Sequence, residues 1–140
     1  MNNRRVVVTG IGALTPIGNN LQDYWENLIK GVSGAGPITY FNPKNFKTQF
    51  ACEVKDFIAT DFLERKEARK LDVFSQYALV VTKQAIEDSL LNINEINPDR
   101  SGVIWGSGIG GMQTFFTESV NYGTGNGTPR FNPFFIPKLI

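Results

Sequence analysis

The stretch GVIWGSGIGGM, residues 102–112, decides how this chain is read. Val103, Ile104 and Trp105 are apolar without alternation, as in a strand buried on both faces, and Gly106, Gly108, Gly110 and Gly111 follow at once. Glycine accepts positive φ and has no Cβ, so a glycine run after a buried strand brings main chain close to a ligand at the edge of an α/β sheet. Gly106, Gly108 and Gly111 also satisfy G-x-G-x-x-G, the dinucleotide pattern. That pattern needs a preceding strand, a helix opening on it and an acid about 20 residues on, at the end of a second strand. The residues after the glycines, Gln113–Asn121 and then YGTGNGTPR at 122–130, offer neither a β-run nor an acid. A Rossmann-type nucleotide-binding domain is therefore the minor reading, behind a glycine turn that only reverses the chain.

Working outward, 140 residues with 41% apolar content and a net charge of +1 fit one soluble globular domain, and that charge gives no reason to expect nucleic acid. The start, MNNRR before Val6-Val7-Val8, superficially resembles a signal peptide, but the apolar run breaks at Thr9-Gly10 and again at Pro16, so none is expected. No stretch approaches a membrane span. A cytoplasmic protein is expected. One cysteine and no histidine leave no disulfide, no zinc cluster, no histidine base and no triad. Cys52, on the apolar side of the alternation Phe50, Cys52, Val54, reads as a small buried hydrophobe in a half-exposed strand.

Arg4–Thr9 suits another strand buried on both faces, followed by a loop through Gly10, Gly12, Pro16 and Gly18. Asn20 is a good N-cap for a helix whose stripe is Leu21, Tyr24, Trp25, Leu28 and Ile29, ended by Gly31. Gly34–Phe46 is a surface loop. Asp61–Lys70 reads as a short helix capped by Thr60 or Asp61, on which Lys66, Arg69 and Lys70 share one face by i, i+3, i+4 spacing. Asp72 can cap the next helix, Val73–Leu90, whose apolar residues cover so wide an arc that it belongs in the interior. The end is unusual: Phe131, Phe134, Phe135 and Ile136 lie among Pro129, Pro133 and Pro137, and the chain stops on Lys138-Leu139-Ile140 as though cut.

Four motifs in register, RRVVVTGIGALTPIGN, RKEARKLDVFSQYAL, SGVIWGSGIGGM and NPFFIPKLI, resemble the N-terminal part of the β-ketoacyl-acyl carrier protein synthase II family, condensing enzymes of bacterial fatty-acid synthesis. The resemblance covers essentially the whole chain. It implies an α/β thiolase-like layered fold, of which residues 1–140 are the N-terminal portion of the first half, with Val73–Leu90 as a buried central helix. It implies a homodimer whose partners are acyl carrier protein and acyl and malonyl thioesters, with no metal or other cofactor. The family's nucleophilic cysteine and two histidines lie beyond these residues, so no catalytic residue falls here and the chain alone is expected to be inactive. By position, Ile109, Phe134 and Phe135 resemble residues of the acyl pocket, and Lys66, Arg69, Lys70 and Arg130 the carrier-docking patch. Trp105 departs from the pattern, standing where relatives carry a small residue. A non-catalytic, chain-length-type partner of a ketosynthase shares the same features.

Overall fold

Helices make up most of the regular structure in the computed structural model, which describes residues 4–140. They are α1 (Leu21–Ile29), α2 (Arg65–Ala68), α3 (Val73–Ser89), α4 (Met112–Thr124) and α5 (Phe135–Leu139), with single 3-10 turns at Ala59–Asp61, Ile93–Glu95 and Pro98–Arg100. The sheet is small and antiparallel, β1 (Gly36–Pro37) beside β2 (Phe50–Ala51), with Gly36 opposite Ala51 and Pro37 opposite Phe50. The chain divides into two compact units. One takes the residues up to Phe57 with Val81–Leu91, and the other takes Ile58–Val80 with Asn92–Ile140. No helix among the described residues is long and apolar enough to cross a membrane.

The first unit is built on the second half of α3. Ile11 N–H donates to Asp88 Oδ2 at 2.8 Å, and Ala13 N–H donates to Gln84 Oε1 at 2.9 Å. The Gln84 amide in turn donates to the Asn19 carbonyl at 2.9 Å. The loop lies so near the helix that a Cβ on Gly10 or Gly12 would sit 2.2 Å from the carbonyl oxygen of Ala85 or Val81, which is why glycine stands at both positions. Asn20 caps α1 as expected, accepting from Asp23 N–H at 2.8 Å. Gly31, at φ +67°, closes α1 with paired bonds: Gly31 N–H to the Leu28 carbonyl and Val32 N–H to the Asn27 carbonyl.

Several expectations are corrected. Arg4–Thr9 and Val103–Trp105 are not strands, and they are not buried: Val6 is 89% exposed and Ile104 wholly so. A strand exists only where a second strand supplies its ladder, and among the described residues no backbone hydrogen bond reaches either run. The strand foreseen around Cys52 shortens to Phe50–Ala51, and its phase is reversed. Phe50 and Cys52 face solvent, while Glu53 turns back to accept from the Thr39 hydroxyl at 2.7 Å and the Thr39 N–H at 3.0 Å. The basic helix opens at Arg65, after Glu64, rather than at Thr60 or Asp61. Helix α3 is not buried throughout. Val80 is 1% exposed, but most of the helix is only half-covered.

Candidate functional site

The second unit gathers most of the residues singled out for function. Its basic segment begins with the single turn of α2 and continues through Arg69 and Lys70, whose N–H groups donate to the carbonyls of Arg65 and Glu67. Gln76 of α3 fixes the end of this segment, its side-chain amide donating to the carbonyls of Ala68 at 2.9 Å and Leu71 at 3.3 Å. Ala68, the small residue among the charges, is buried and lets the segment lie close.

Lys66, Arg69 and Lys70 then line one hollow of about 530 Å³ together with Asn132, Pro133 and Phe134. The far wall is a rigid turn. The Asn132 side chain accepts from Phe134 N–H at 2.9 Å, its carbonyl accepts from Phe135 N–H at 2.8 Å, and its own N–H donates to Glu118 Oε2 at 3.1 Å. Asn before Pro is a strong local signal for such a turn, legible in the sequence but not connected to the basic face until the fold brings them together. Lys70 Nζ stands 5.9 Å from the centre of the Phe134 ring, within cation–π range. No carboxylate lines the hollow, and the two ion pairs among the described residues, Lys30–Glu26 and Lys83–Glu87, lie elsewhere. The result is a concave cationic surface with an aromatic wall, suited to an anionic partner.

Arg130, expected on the same patch, lines a different and smaller hollow of about 240 Å³ with Glu118, Asn121, Tyr122 and Phe131 among its neighbours. The three residues expected at an acyl pocket have different surroundings. Phe134 belongs to the basic hollow, Phe135 stacks between Phe115 at 6.4 Å and Phe131 at 5.4 Å, and Ile109 is 71% exposed.

The glycine loop itself divides in two. Gly106 and Gly108 have open space where a Cβ would stand, whereas Gly110, at φ +76°, and Gly111 press against the backbone of Leu139 and Lys138. Gly111 N–H donates to the Leu139 carbonyl at 3.3 Å, so these two glycines serve the packing of α4 on α5. A helix does open on the loop, as the pattern required, but the strand before it is missing.

Asp72 stands at the head of α3, the place its sequence position marks, and its side chain serves a second helix as well. Its backbone carbonyl accepts from Ser75 and Gln76 at the start of α3, yet its carboxylate turns to the N–H and hydroxyl of Thr114 in α4. The hollow is lined by cations, an amide, a proline and an aromatic ring. The chain has no histidine, Cys52 is an exposed residue of the other unit, and the described residues hold no cluster of metal-ligating side chains.

The family model for the β-ketoacyl synthase N-terminal domain matches residues 3–138. A 3-oxoacyl-[acyl-carrier-protein] synthase 2 from Synechocystis sp. (strain ATCC 27184 / PCC 6803 / Kazusa) is 48% identical over 140 residues, covering 100% of this chain and 33% of the relative. The chain therefore spans about a third of that relative's length. Among solved structures, the ishigamide ketosynthase/chain length factor is similar with a TM-score of 0.75 and 26% identity, over 98% of this chain and 34% of the other. A chain of the structure of a type II PKS acyl-carrier protein in complex with its ketosynthase bound to the hexaketide gives a TM-score of 0.76 and 25% identity, over 99% of this chain and 35% of that one. With helices α1 to α4, the glycine loop and the closing aromatic turn inside the matched span, this chain belongs to the β-ketoacyl synthase family and carries that family's N-terminal domain.

Proposed function

We propose that the chain is the N-terminal portion of a longer 3-oxoacyl-[acyl-carrier-protein] synthase that elongates acyl chains in fatty-acid synthesis. In this reading an acyl group passes from carrier protein to a cysteine thiolate, malonyl-carrier protein loses carbon dioxide, and the carbanion attacks the acyl thioester. The thiolate and the histidines that assist come from outside these 140 residues, which provide binding and scaffold. Lys66, Arg69 and Lys70 receive an acidic carrier protein, Arg130 extends the contact from the adjoining hollow, and Ile109, Phe134 and Phe135 approach the acyl group. The thiolase-like layers, a homodimer and a cytoplasmic location belong to the same proposal, in which Val6–Val8 and Val103–Trp105 become sheet strands once partner strands are supplied.

The observation that carries the reading is the basic hollow: three cations on one wall, with no carboxylate among its lining residues. Complementary charge speeds encounter and fixes register, and its effect fades with salt. In the full-length protein the double change Lys66→Glu and Arg69→Glu should lower kcat/KM for carrier-bound acyl donors, mainly through slower association, and the loss should shrink as salt rises. Donors without carrier protein should keep most of their rate. Equal loss for both donor classes would reduce the hollow to a solvated surface. A second reading, a non-catalytic chain-length-type partner, is favoured by the similarity to a ketosynthase/chain length factor. Wild-type condensation by the purified full-length protein separates the two.

A further inference from the structure

We propose that Asp72 is a positioning residue, whose carboxylate holds the first turn of α4, and with it the glycine loop bearing Ile109, in fixed register with the basic segment 66–70. The roles given to the two ends rest on the reading under Proposed function; the link between them rests on geometry.

Asp72 is the buried charged side chain among the described residues, 7% exposed, and a carboxylate withdrawn from water needs hydrogen-bond donors. It finds them on another element. Thr114 N–H donates to Asp72 Oδ2 at 3.3 Å, and the Thr114 hydroxyl donates to the same oxygen. Thr114 is the third residue of α4, and the residue before that helix, Gly111, has no side chain with which to cap it. Asp72 therefore satisfies from outside one of the orphan N–H groups of the first turn, where the helix dipole favours an anion.

Each side of this clamp is braced. Toward the basic segment, Gln76 holds the carbonyls of Ala68 and Leu71, so Asp72 follows directly on a pinned backbone. Toward the loop, Met112 N–H donates to the Gly110 carbonyl at 2.8 Å, Gly111 N–H to Leu139, and Gly110 N–H to the Ser107 hydroxyl at 3.0 Å. The path from Lys70 to Ile109 thus runs through short, hydrogen-bonded steps. Removing the clamp should release the loop without touching either the cations or Ile109 itself.

The test uses the full-length protein and the variants Asp72→Asn, Thr114→Val and Thr114→Ser. In the first two, amide hydrogen exchange across residues 110–115 should rise by about tenfold, as expected for loss of a charge-assisted bond, while exchange in α1 stays as in the wild type. The ratio of kcat/KM for long against short carrier-free acyl donors should change in parallel. Thr114→Ser keeps the hydroxyl and should restore both readouts. Unchanged exchange at 110–115 overturns the link, and so does a loss spread evenly over α1 and over every donor length, which is simple destabilisation. Raised exchange with an unchanged length ratio overturns the positioning role. Should the wild-type protein fail to condense any donor, the proposed function falls, while the exchange arm still decides the link.

Discussion

At the scale of single residues, the informative side chains are those that leave their own element. Glu53 is one. Its carboxyl is held below the usual carboxylate range by the hydrogen bond from the Thr39 hydroxyl, joined by the N–H groups of Thr39 and Tyr40 and opposed by partial desolvation. A carboxylate whose folded pKa is lowered contributes order that is complete above its ordinary pKa and is lost as pH falls through the lowered value. Residues 39 and 40 should therefore detach from Glu53 on acidification, seen as loss of protection of the Thr39 amide in a pH series by NMR. Thr39→Val should return the Glu53 titration toward the ordinary carboxylate range; an unmoved titration would place the cause elsewhere. Cys52, next to it in sequence, shows why such details escape a reading of the sequence. Alternation reveals that two faces exist but not which one is covered, and here the covered face carries Ala51 and Glu53 rather than Phe50 and Cys52. Asp72 escaped for a similar reason, since a cap signal names a donor-rich helix end without saying which helix will supply it.

Among the elements, what was legible is what is local. Asn20 and Gly31 bound α1 by bonds that span only a few residues, and Lys66, Arg69 and Lys70 share one wall because the coiled backbone of α2 runs on past Ala68 through the bonds of Arg69 and Lys70. The strands were not legible, because their hydrogen-bond partners are distant in the chain and an apolar β-branched run does not say whether a partner is present. The two-stranded sheet instead pairs a Gly-Pro pair, taken for loop, with the start of the Phe50 run. Of the glycine loop, whose spacing alone cannot separate a turn from a ligand edge, only Gly110 and Gly111 are packed. A Cβ at position 111 would stand 2.1 Å from the Lys138 carbonyl oxygen, which is backbone and cannot swing aside. Gly111→Ala should thus force α5 off α4 and separate the Phe115, Phe135 and Phe131 rings, lowering the thermal midpoint and opening Phe135 to proteolysis. Gly108→Ala meets open space at its Cβ and should leave both nearly unchanged. If the two substitutions behave alike, the close approach of α4 and α5 does not exist in solution.

For the molecule as a whole, the balance of buried and exposed apolar surface sets the behaviour of the isolated chain. Among the described residues only Ala13, Ala68 and Val80 are buried apolar side chains, while Val6, Val8, Val103 and Ile104 lie open to solvent, as do Phe50 and Trp105. Burying apolar area releases about 25 cal/mol per Å², so open runs of Val and Ile favour association over continued hydration. The backbone of Arg4–Thr9 and of Val103–Trp105 adds N–H and C=O groups that no backbone group among the described residues pairs and that another strand can satisfy. The purified chain should therefore show a mass above that of the monomer by light scattering, rising with concentration, and should bind a dye that reports exposed apolar surface. Replacing Val8 and Ile104 together with Lys should lower both signals. Since both side chains are exposed, the direct cost to each unit's own stability should stay within about 0.5 kcal/mol per site. A chain that remains monomeric and dye-negative at every concentration, and that the double substitution unfolds, would mean that these two runs are paired and covered in solution.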